Sequence, residues 1–401
     1  MSTRTSNSTP PAGAADGFHV LFLPKWWPND DDPQLGDFLR KQAQAVASQT
    51  RTSVLYVHAD KHPNAQAHVT TSLEQRLYEV RSHYVASVHA FGPWRRVVNF
   101  RRYWCAAKSG WERLITERGL PHLTHVHILV RPALFALRLK QRHGIPYLIS
   151  EQSSEYLDGT YAGKGPLFKA LNRFLFRRAA GITAVSAWLG DALVRLGLCK
   201  TYGVVPNVVP GLDRPLPPPG PAGHLLVVAD LVDRTKNVSG VLRALAVARQ
   251  SDPRLHLTVI GDGPDRRMLE ALAREQGVAA SVRFLGRMPN SGVLDHMAGA
   301  GAVIINSNVE TFSVVTGEAL AQGKPVIATR CGGPIAFITP ENGILIPVGD
   351  EAALAAAMRQ WADDTGRYAP EAIRRSVNAR SSSEAVGRAF MEYYRSILLH
   401  A

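Results

Sequence analysis

The chain has 401 residues, more than a single hydrophobic core usually serves, so two domains are expected. It is 45% hydrophobic and 20% charged, as globular proteins are, and it lacks the apolar run of about 18 residues that a membrane-spanning helix needs. Three widely spaced cysteines (Cys105, Cys199 and Cys331) show no metal-ligand spacing, which favours a reducing cytoplasm.

The net charge of +13 is concentrated in the first half of the chain. Residues 1–210 contain 26 Lys and Arg against 14 Asp and Glu, whereas the remainder is nearly balanced at 20 against 19. An anionic partner is therefore expected to meet the first half.

Short β-rich runs alternate with helical patterns along the first half, after a Ser-, Thr- and Pro-rich stretch (residues 1–17) predicted to be a disordered tail. Strands are predicted at residues 20–23, 53–57, 125–129, 147–149, 182–184 and 203–205. Helices include 37–47 and 132–143. We assign residues 18–209 to a first domain.

The proline-dense segment at residues 210–223 predicts a stiff hinge, because proline removes backbone donors and ends regular structure. The alternation of strand and helix patterns then resumes, with predicted strands at 225–229, 256–260, 283–285, 302–306 and 326–328. This defines a second domain at 224–383, followed by a C-terminal helix at 384–401 that returns to the first domain. The predicted class is α/β, with two Rossmann-like, doubly wound αβα domains.

In open α/β sheets, ligands bind where loops follow the carboxyl ends of strands. Gly36 ends the loop after the first strand and opens a helix, where a missing side chain lets a phosphate approach backbone N–H groups. The alternative is an ordinary turn glycine. Lys236 follows the first strand of the second domain at a helix start, a position that suits an anionic leaving group, with a solvated surface lysine as the alternative.

Residues 310–318, Glu-Thr-Phe-Ser-Val-Val-Thr-Gly-Glu, follow a predicted strand and enter a helix. Glu310 and Glu318 are expected to reach two parts of one extended ligand, because carboxylates accept hydrogen bonds from sugar and ribose hydroxyls. Backbone N–H groups near Phe312, Ser313 and Val314 form an anion cradle in this interpretation. The alternative is two solvated helix glutamates.

The second half resembles the retaining, GT-B-fold glycosyltransferase family typified by bacterial mannosyl- and glucosyltransferases. The likeness is carried by Val-Ile-Gly-Asp-Gly-Pro at 259–264, Phe-Leu-Gly at 284–286, the 310–318 block, Ala-Leu-Ala-Gln-Gly-Lys-Pro-Val-Ile at 319–327 and Gly-Gly-Pro at 332–334. Weaker matches in the first half extend the resemblance over about residues 18–398.

The resemblance implies two domains facing each other across a cleft, with the acceptor bound by residues 18–209 and the nucleotide sugar by residues 224–383. It also implies metal-independent transfer with retention at the anomeric carbon. Glu310 then contacts the donor sugar, Glu318 binds the ribose hydroxyls, Lys236 binds the diphosphate and Gly36 faces it. The loop after Gly286 holds the base. No cofactor is implied beyond a UDP- or GDP-linked sugar as co-substrate.

Two positions depart from the family pattern. Gln152 stands where the family has a histidine beside the acceptor, and an amide orients a hydroxyl but accepts no proton near neutral pH. Asp230 stands in place of a phosphate-binding arginine, and Arg234 on the same loop is the candidate substitute. These departures keep open an alternative function as a catalytically impaired binding or partner subunit.

Basic and aromatic residues interleave at 93–104 and again at 168–178, a pattern typical of helices that lie in a membrane interface. A core-facing helix with a solvated basic side is the alternative, and no nucleic-acid motif accompanies the charges. His125 and His127, two residues apart, are expected to point to opposite faces of their strand and so to share no metal.

We therefore predict a hexosyltransferase that moves sugar from a nucleotide-sugar donor to a lipid-linked or polysaccharide hydroxyl. It is expected in the cytoplasm, peripheral on the inner face of the cell membrane, where it meets an anionic surface and no nucleic acid.

Overall fold

The computed structural model describes residues 17–62, 65–87 and 92–400. Of the predicted tail, all but Gly17 lies outside the described residues. The first sheet contains the strands β1 (His19–Pro24), β2 (Arg51–Asp60), β3 (His68–Glu74), β4 (Leu77–Val85), β5 (Leu123–His127), β6 (Tyr147–Glu151), β7 (Gly181–Ala184) and β8 (Gly203–Val204). The helices between these strands are α1 (Asp37–Ala47), α2 (Gly92–Arg118), α3 (Arg131–His143), α4 (Pro166–Arg178) and α5 (Ala187–Arg195).

The second sheet contains β9 (His224–Val228), β10 (His256–Ile260), β11 (Val282–Gly286), β12 (Ala302–Ile305), β13 (Val326–Thr329) and β14 (Gly343–Ile346). Its helices are α6 (Asp233–Lys236), α7 (Val238–Arg249), α8 (Arg266–Glu275), α9 (Asn290–Gly299), α10 (Val314–Ala321), α11 (Glu351–Asp363), α12 (Pro370–Ser381) and α13 (Ser383–Leu399). Short 3-10 turns complete both regions.

The first sheet has the strand order β3-β4-β2-β1-β5-β6-β7-β8. Its centre is parallel, with β1 between β2 and β5, and β1 is an apolar strand buried on both faces, as parallel sheets covered by helices require. The chain runs outward from β1 in one direction and then returns to place β5 on the other side. The order therefore reverses between β1 and β5.

The second sheet has the order β11-β10-β9-β12-β13-β14, and its registered pairs are parallel. Here the order reverses between β9 and β12. The helix α10 follows β12 and is buried from Thr316 to Ala321, with the charged Glu318 included, so its sequence is not amphipathic.

By its internal contacts the chain divides into two compact units. One comprises the described residues through Ser150, Phe174–Ile182 and α13 from Gly387 onward, and the other comprises Glu151–Arg173 and Thr183–Val386. In the first unit, Tyr394 of α13 places its hydroxyl 2.6 Å from Nδ1 of His125 on β5. The C-terminal segment thus closes the first unit over its central strands.

The sequence patterns miss β3, β4 and β14. The strands β3 and β4 form an antiparallel hairpin through Gln75 and Arg76, and β3 is exposed along almost its whole length. An edge strand exposed on both faces has no apolar alternation to reveal it. The strand β14 is only four residues long, and its pairing with β13 comes from the fold and not from a local pattern.

Candidate functional site

The residues singled out in the second half meet where the strand order reverses. Lys236 lies on the loop and short helix after β9, and Glu310 follows β12, the neighbouring strand. Because crevices form where loops from a reversal point diverge, this is the expected ligand position in a doubly wound sheet. Three hydrogen bonds tie the two loops together: Asn306 Nδ2 to the Asn237 carbonyl (2.9 Å), Asn308 N to Thr235 (2.8 Å) and Asn308 Nδ2 to Arg234 (2.8 Å).

The ammonium of Lys236 donates to the carboxylate of Glu310, with Nζ 2.6 Å from Oε1. Ser307 Oγ donates to the same oxygen at 2.8 Å. Both members of the ion pair are partly shielded from water, the side chains being 27% and 15% exposed. Lys236 ends α6, one residue before Asn237, which caps α7. The two residues that the sequence assigns to diphosphate and sugar are therefore neighbours.

The backbone of Glu310 is held by the loop after β13. Glu310 N donates to the Cys331 carbonyl and Gly333 N donates to the Glu310 carbonyl, each at 2.9 Å. Gly332 lies between these bonds at φ 116°, and a Cβ there would collide with the Glu310 carbonyl and with the Trp188 ring. Burial, together with the nearby charge of Glu310, raises the pKa of the Cys331 thiol to about 11, so it stays protonated at neutral pH.

The N-terminus of α10 lies where the sequence predicts an anion cradle, and that role stays a prediction. Ser313 caps the helix in a left-handed conformation (φ 68°), and its Oγ lies 2.8 Å from Thr316 Oγ1. Phe312 is buried against Phe337, with ring centroids 4.9 Å apart, so it contributes backbone and not side chain. The first N–H groups from Val314 onward carry the positive end of the helix dipole.

Glu318, in the second turn of α10, is 4% exposed and accepts a hydrogen bond from Asn290 Nδ2 at 2.7 Å. Asn290 is the first residue of α9, on the segment after Gly286 that the family resemblance assigns to the base. Sequence reasoning missed Asn290, Ser307 and Trp188. A polar Asn-Ser-Asn run at 306–308, directly after an apolar strand, was the available signal for Ser307.

Asp230, at the position of the missing arginine, is largely exposed and pairs with Arg287, with Oδ1 and Nη2 3.3 Å apart. Arg234 is exposed on α6. Its charge reaches Asp158: partial burial opposes ionisation there, but hydrogen bonds from Thr160 and Ser154 and the charge of Arg234 hold the pKa of Asp158 below its usual value. Arg234, two positions before Lys236 on α6, is thus the second basic residue of this segment.

Gln152 directly follows β6 and is buried. The Oε1 atom of Glu151 accepts hydrogen bonds from the backbone N–H groups of Gln152 and Ser153, each at 2.9 Å. Burial raises the pKa of the nearby Tyr156 hydroxyl far above its usual value, and the charge of Glu151 adds to this effect. The loop therefore places a buried, neutral amide in a turn that is held by two hydrogen bonds to Glu151.

Gly36 is the N-cap of α1 at φ 69°, as the sequence predicts. A Cβ at this position would lie 2.6 Å from the Trp26 carbonyl oxygen, so a larger residue has no room. The loop it ends follows β1, at the reversal point of the first sheet. The role of Gly36 toward a diphosphate stays a prediction.

The interpretation that His125 and His127 point to opposite faces is wrong. Residues i and i+2 of a strand share a face, and the two rings lie 4.0 Å apart. His125 bonds Tyr394 and Ser150, each at 2.6 Å, and His127 stacks on Phe22. Among the described residues, no group of three or more His, Cys, Asp or Glu side chains is placed to hold a metal ion.

Two sequence families match the chain. The family described as "Glycosyl transferases group 1" matches residues 214–381, and the "Glycosyl transferase 4-like domain" matches residues 35–208. No helix within the described residues is both long and apolar enough to cross a membrane.

The chain is 29% identical over 284 residues to glycogen synthase of Mycobacterium tuberculosis, a match that covers 67% of this chain and 66% of that protein. It is 31% identical over 197 residues to the lipopolysaccharide core biosynthesis glycosyltransferase LpsD of Rhizobium meliloti, covering 45% of this chain and 54% of that protein. These matches thus span between half and two thirds of the relatives' own length.

Among solved structures, sucrose-phosphate synthase of Thermosynechococcus elongatus superposes with a TM-score of 0.74 at 19% identity, covering 96% of this chain and 100% of that one. The Anabaena protein HepE, solved with UDP and glucose, has a TM-score of 0.68 at 16% identity, covering 94% and 100%. The fold is that of the GT-B glycosyltransferases. With both halves matched, the chain belongs to the group 1 glycosyltransferases.

Proposed function

We propose that the protein transfers a hexose, with retention of anomeric configuration, from a UDP- or GDP-linked donor to the hydroxyl of a lipid-linked sugar or polysaccharide. The observation that carries this proposal is the Lys236–Glu310 pair at the reversal point of the second sheet. Glu318 lies in α10, the helix that directly follows Glu310. HepE, which shares the fold, is described in complex with UDP and glucose, and this supports a nucleotide-sugar donor.

The pair also explains how the site accepts an anion. In the free protein Lys236 neutralises Glu310. A donor diphosphate offers Lys236 a stronger, doubly charged partner, aided by the first N–H groups of α10. The ammonium then shifts toward phosphate, and the Glu310 carboxylate, still bonded by Ser307, becomes free to accept a sugar hydroxyl.

In the transfer step, the bond between the anomeric carbon and the phosphate oxygen breaks, and a bond to the acceptor oxygen forms. Gln152 has no proton-accepting group near neutral pH, so it orients the acceptor hydroxyl, and that proton leaves with the nucleoside diphosphate. The charge that develops on the leaving group is stabilised by Lys236, Arg234 and the α10 dipole.

With this cationic set, we expect transfer to need no divalent metal. Activity of the purified protein in excess EDTA should match the untreated protein within about twofold, which is within ordinary assay scatter of a few tenths of a kcal/mol. A loss that added Mg²⁺ or Mn²⁺ restores would contradict metal independence.

A lipid-linked acceptor is supported by LpsD, a relative whose name places it in lipopolysaccharide core synthesis. It is also supported by the basic first half of the chain. We propose that the protein works at the cytoplasmic face of the membrane, adsorbed and not inserted.

The deciding experiment is a screen of UDP- and GDP-sugars for thermal stabilisation and for sugar transfer or donor hydrolysis. A donor at 100 times its dissociation constant adds about 2.7 kcal/mol to stability. Lys236→Ala should weaken donor binding by about tenfold or more, as loss of a charged hydrogen bond does. Lys200→Ala, an exposed lysine elsewhere, is the matched control. Binding without turnover by any donor would favour the alternative of an inactive partner subunit.

A further inference from the structure

A pocket lies between α2 and α3 of the first unit, away from the residues assigned above. It has a volume of about 460 Å³, within the range of about 300–1,000 Å³ typical of small-molecule sites. Phe100 and Trp104 of α2 form one wall, and Leu134 and Leu137 of α3 form the other. These side chains make the interior apolar.

Two arginines stand at this apolar pocket. Arg101 and Arg138 line it, and both are exposed, with the Arg138 guanidinium 6.0 Å from the centre of the Trp104 ring. Neither forms an ion pair within the residues that the structure describes. Over residues 92–107 and 131–143 the two helices carry eight Lys and Arg and no Asp or Glu. The pocket is therefore apolar inside and strongly cationic around its mouth.

Apolar side chains also project beside the pocket. Trp94 (62% exposed), Val97 (46%) and Phe100 (39%) follow one another at intervals of three on α2. This spacing keeps them on one face of the helix, continuous with Trp104 in the pocket wall. Exposed large apolar residues in a row, flanked by arginines, fit a surface that meets lipid and not bulk water.

We propose that this pocket binds one anionic glycerophospholipid. Part of an acyl chain lies among Phe100, Trp104, Leu134 and Leu137, and the phosphate lies between Arg101 and Arg138. Apolar walls exclude a free phosphate or sugar phosphate as the main ligand, since neither fills the interior. The unpaired arginines favour an anionic lipid over a zwitterionic one, because guanidinium groups bind phosphate oxygens bidentately.

Lipid binding in this pocket is separate from sugar transfer and needs neither donor nor acceptor. It rests on the proposed membrane association only for the source of the lipid. Binding of a lipid in the pocket is distinguished from adsorption to a membrane by using a lipid that is monomeric in solution, so that no bilayer is present in the assay.

The test uses Cys105, an exposed free thiol that lines the pocket. Purified full-length protein is alkylated with a maleimide, with and without dihexanoyl phosphatidylglycerol below its micelle concentration, and each cysteine is read by peptide mass spectrometry. With the lipid at about ten times its dissociation constant, Cys105 should react about tenfold more slowly, because the fraction of protein without bound lipid falls by about that factor. Cys199 should keep its rate, and native mass spectrometry should show one lipid per chain.

Paired variants separate the pocket from general charge. Arg101→Gln with Arg138→Gln should weaken lipid binding about tenfold or more. Arg95→Gln with Arg96→Gln removes the same charge from α2 outside the pocket wall and should change binding by about twofold at most, because exposed charges are screened. Leu137→Trp, which fills the cavity, should abolish Cys105 protection, and circular dichroism checks that each variant is folded.

Three results would overturn the proposal. The first is equal protection by dihexanoyl phosphatidylcholine or by glycerol phosphate, and the second is equal weakening by the two arginine pairs. The third is protection without lipid that rises with protein concentration, which would assign the pocket to a second copy of the chain.

Discussion

At the residue scale, Glu310 and Glu318 carry the same charge in different surroundings. Glu310 is bonded by a lysine ammonium and a serine hydroxyl, whereas Glu318 is bonded by the neutral amide of Asn290. A group bonded by a cation can exchange that cation for substrate charge. A group bonded by an amide is already oriented to accept hydrogen bonds from neutral hydroxyls. The two environments therefore support the division of labour between sugar and ribose proposed above.

Glu318→Ala should weaken nucleotide binding by about 1.5–3 kcal/mol, or about 10- to 150-fold, because it removes a charged hydrogen-bond acceptor for the ribose. Calorimetry with UDP and GDP measures this directly. The control is Glu392→Ala, a carboxylate on the exposed side of α13, which should leave nucleotide affinity unchanged. Unaltered affinity in folded Glu318→Ala would refute the assignment.

Gln152→His should preserve or raise turnover, because the imidazole keeps a hydrogen-bonding group and adds a proton acceptor near neutral pH. Gln152→Ala should lower it by removing acceptor orientation. The measurement is kcat with the donor identified by the screen, alongside nucleotide affinity to show that the donor site is intact. Complete loss of activity in a folded Gln152→His protein would mean that the site requires the amide. The assignment of Gln152 to the position of the family's acceptor histidine would then be wrong.

At the element scale, β5 places two histidines in the core of the first unit. Burial lowers the pKa of His127 from 6.5 to about 3, and burial, to which repulsion from a protonated His127 would add, lowers the pKa of His125 well below 6.5. Both are therefore neutral in the folded protein, while in the unfolded chain they protonate near pH 6.5. Below that pH the unfolded state binds more protons, so stability falls as pH falls.

The expected slope between about pH 6 and 5 is about 1.4 kcal/mol per pH unit for each histidine. Urea unfolding at a series of pH values measures it. His127→Phe, which keeps a ring stacked on Phe22, should lower the slope by the share of one histidine, about 1.4 kcal/mol per pH unit. A stability that stays level from pH 7 to 5 would show that the two imidazoles are not buried as described.

The hairpin of β3 and β4 shows where element prediction fails. The strand β3 is polar and largely exposed, whereas β4 is largely buried but mixes charged and polar residues with its apolar ones, so local periodicity carries little information in either strand. What defines β4 is its long parallel pairing with β2, over nine residue pairs from Thr52 to Asp60. That pairing joins segments distant in sequence, which no local window detects.

At the scale of the whole molecule, charge is separated along the chain, with almost all of the excess positive charge in residues 1–210. Exposed Trp94 and Phe100 lie beside Arg95, Arg96, Arg101 and Arg102 on α2, so apolar wedges and charge occur together. Adsorption to an anionic surface needs both.

We expect reversible binding to vesicles containing phosphatidylglycerol, weakened by salt because exposed charges are screened beyond about 10 Å at 0.1 M ionic strength. Neutralising four arginines of α2, namely Arg95, Arg96, Arg101 and Arg102, should weaken vesicle binding further, by up to about 1 kcal/mol per residue. Co-sedimentation at low and high salt is the measurement, with thermal melting as the control for folding. If the unaltered protein stays in the supernatant at low salt, a soluble acceptor is indicated.

The sequence by itself determined the α/β class, the division into two doubly wound sheets and the position of Gly36 at the cap of α1. It also placed Glu310 and Glu318 after a central strand. Each of these follows from local patterns, namely short apolar runs, helix boundaries and a glycine at the start of a helical pattern.

Only the tertiary structure decided which residues meet. Lys236 reaches Glu310 because β9 and β12 are neighbours at the reversal point, although 74 positions separate the two side chains. In the same way Asn290 reaches Glu318, and α3 meets α2 to enclose the pocket at Arg101 and Arg138. Such contacts depend on strand order and helix packing, which join distant segments through the shared burial of apolar faces.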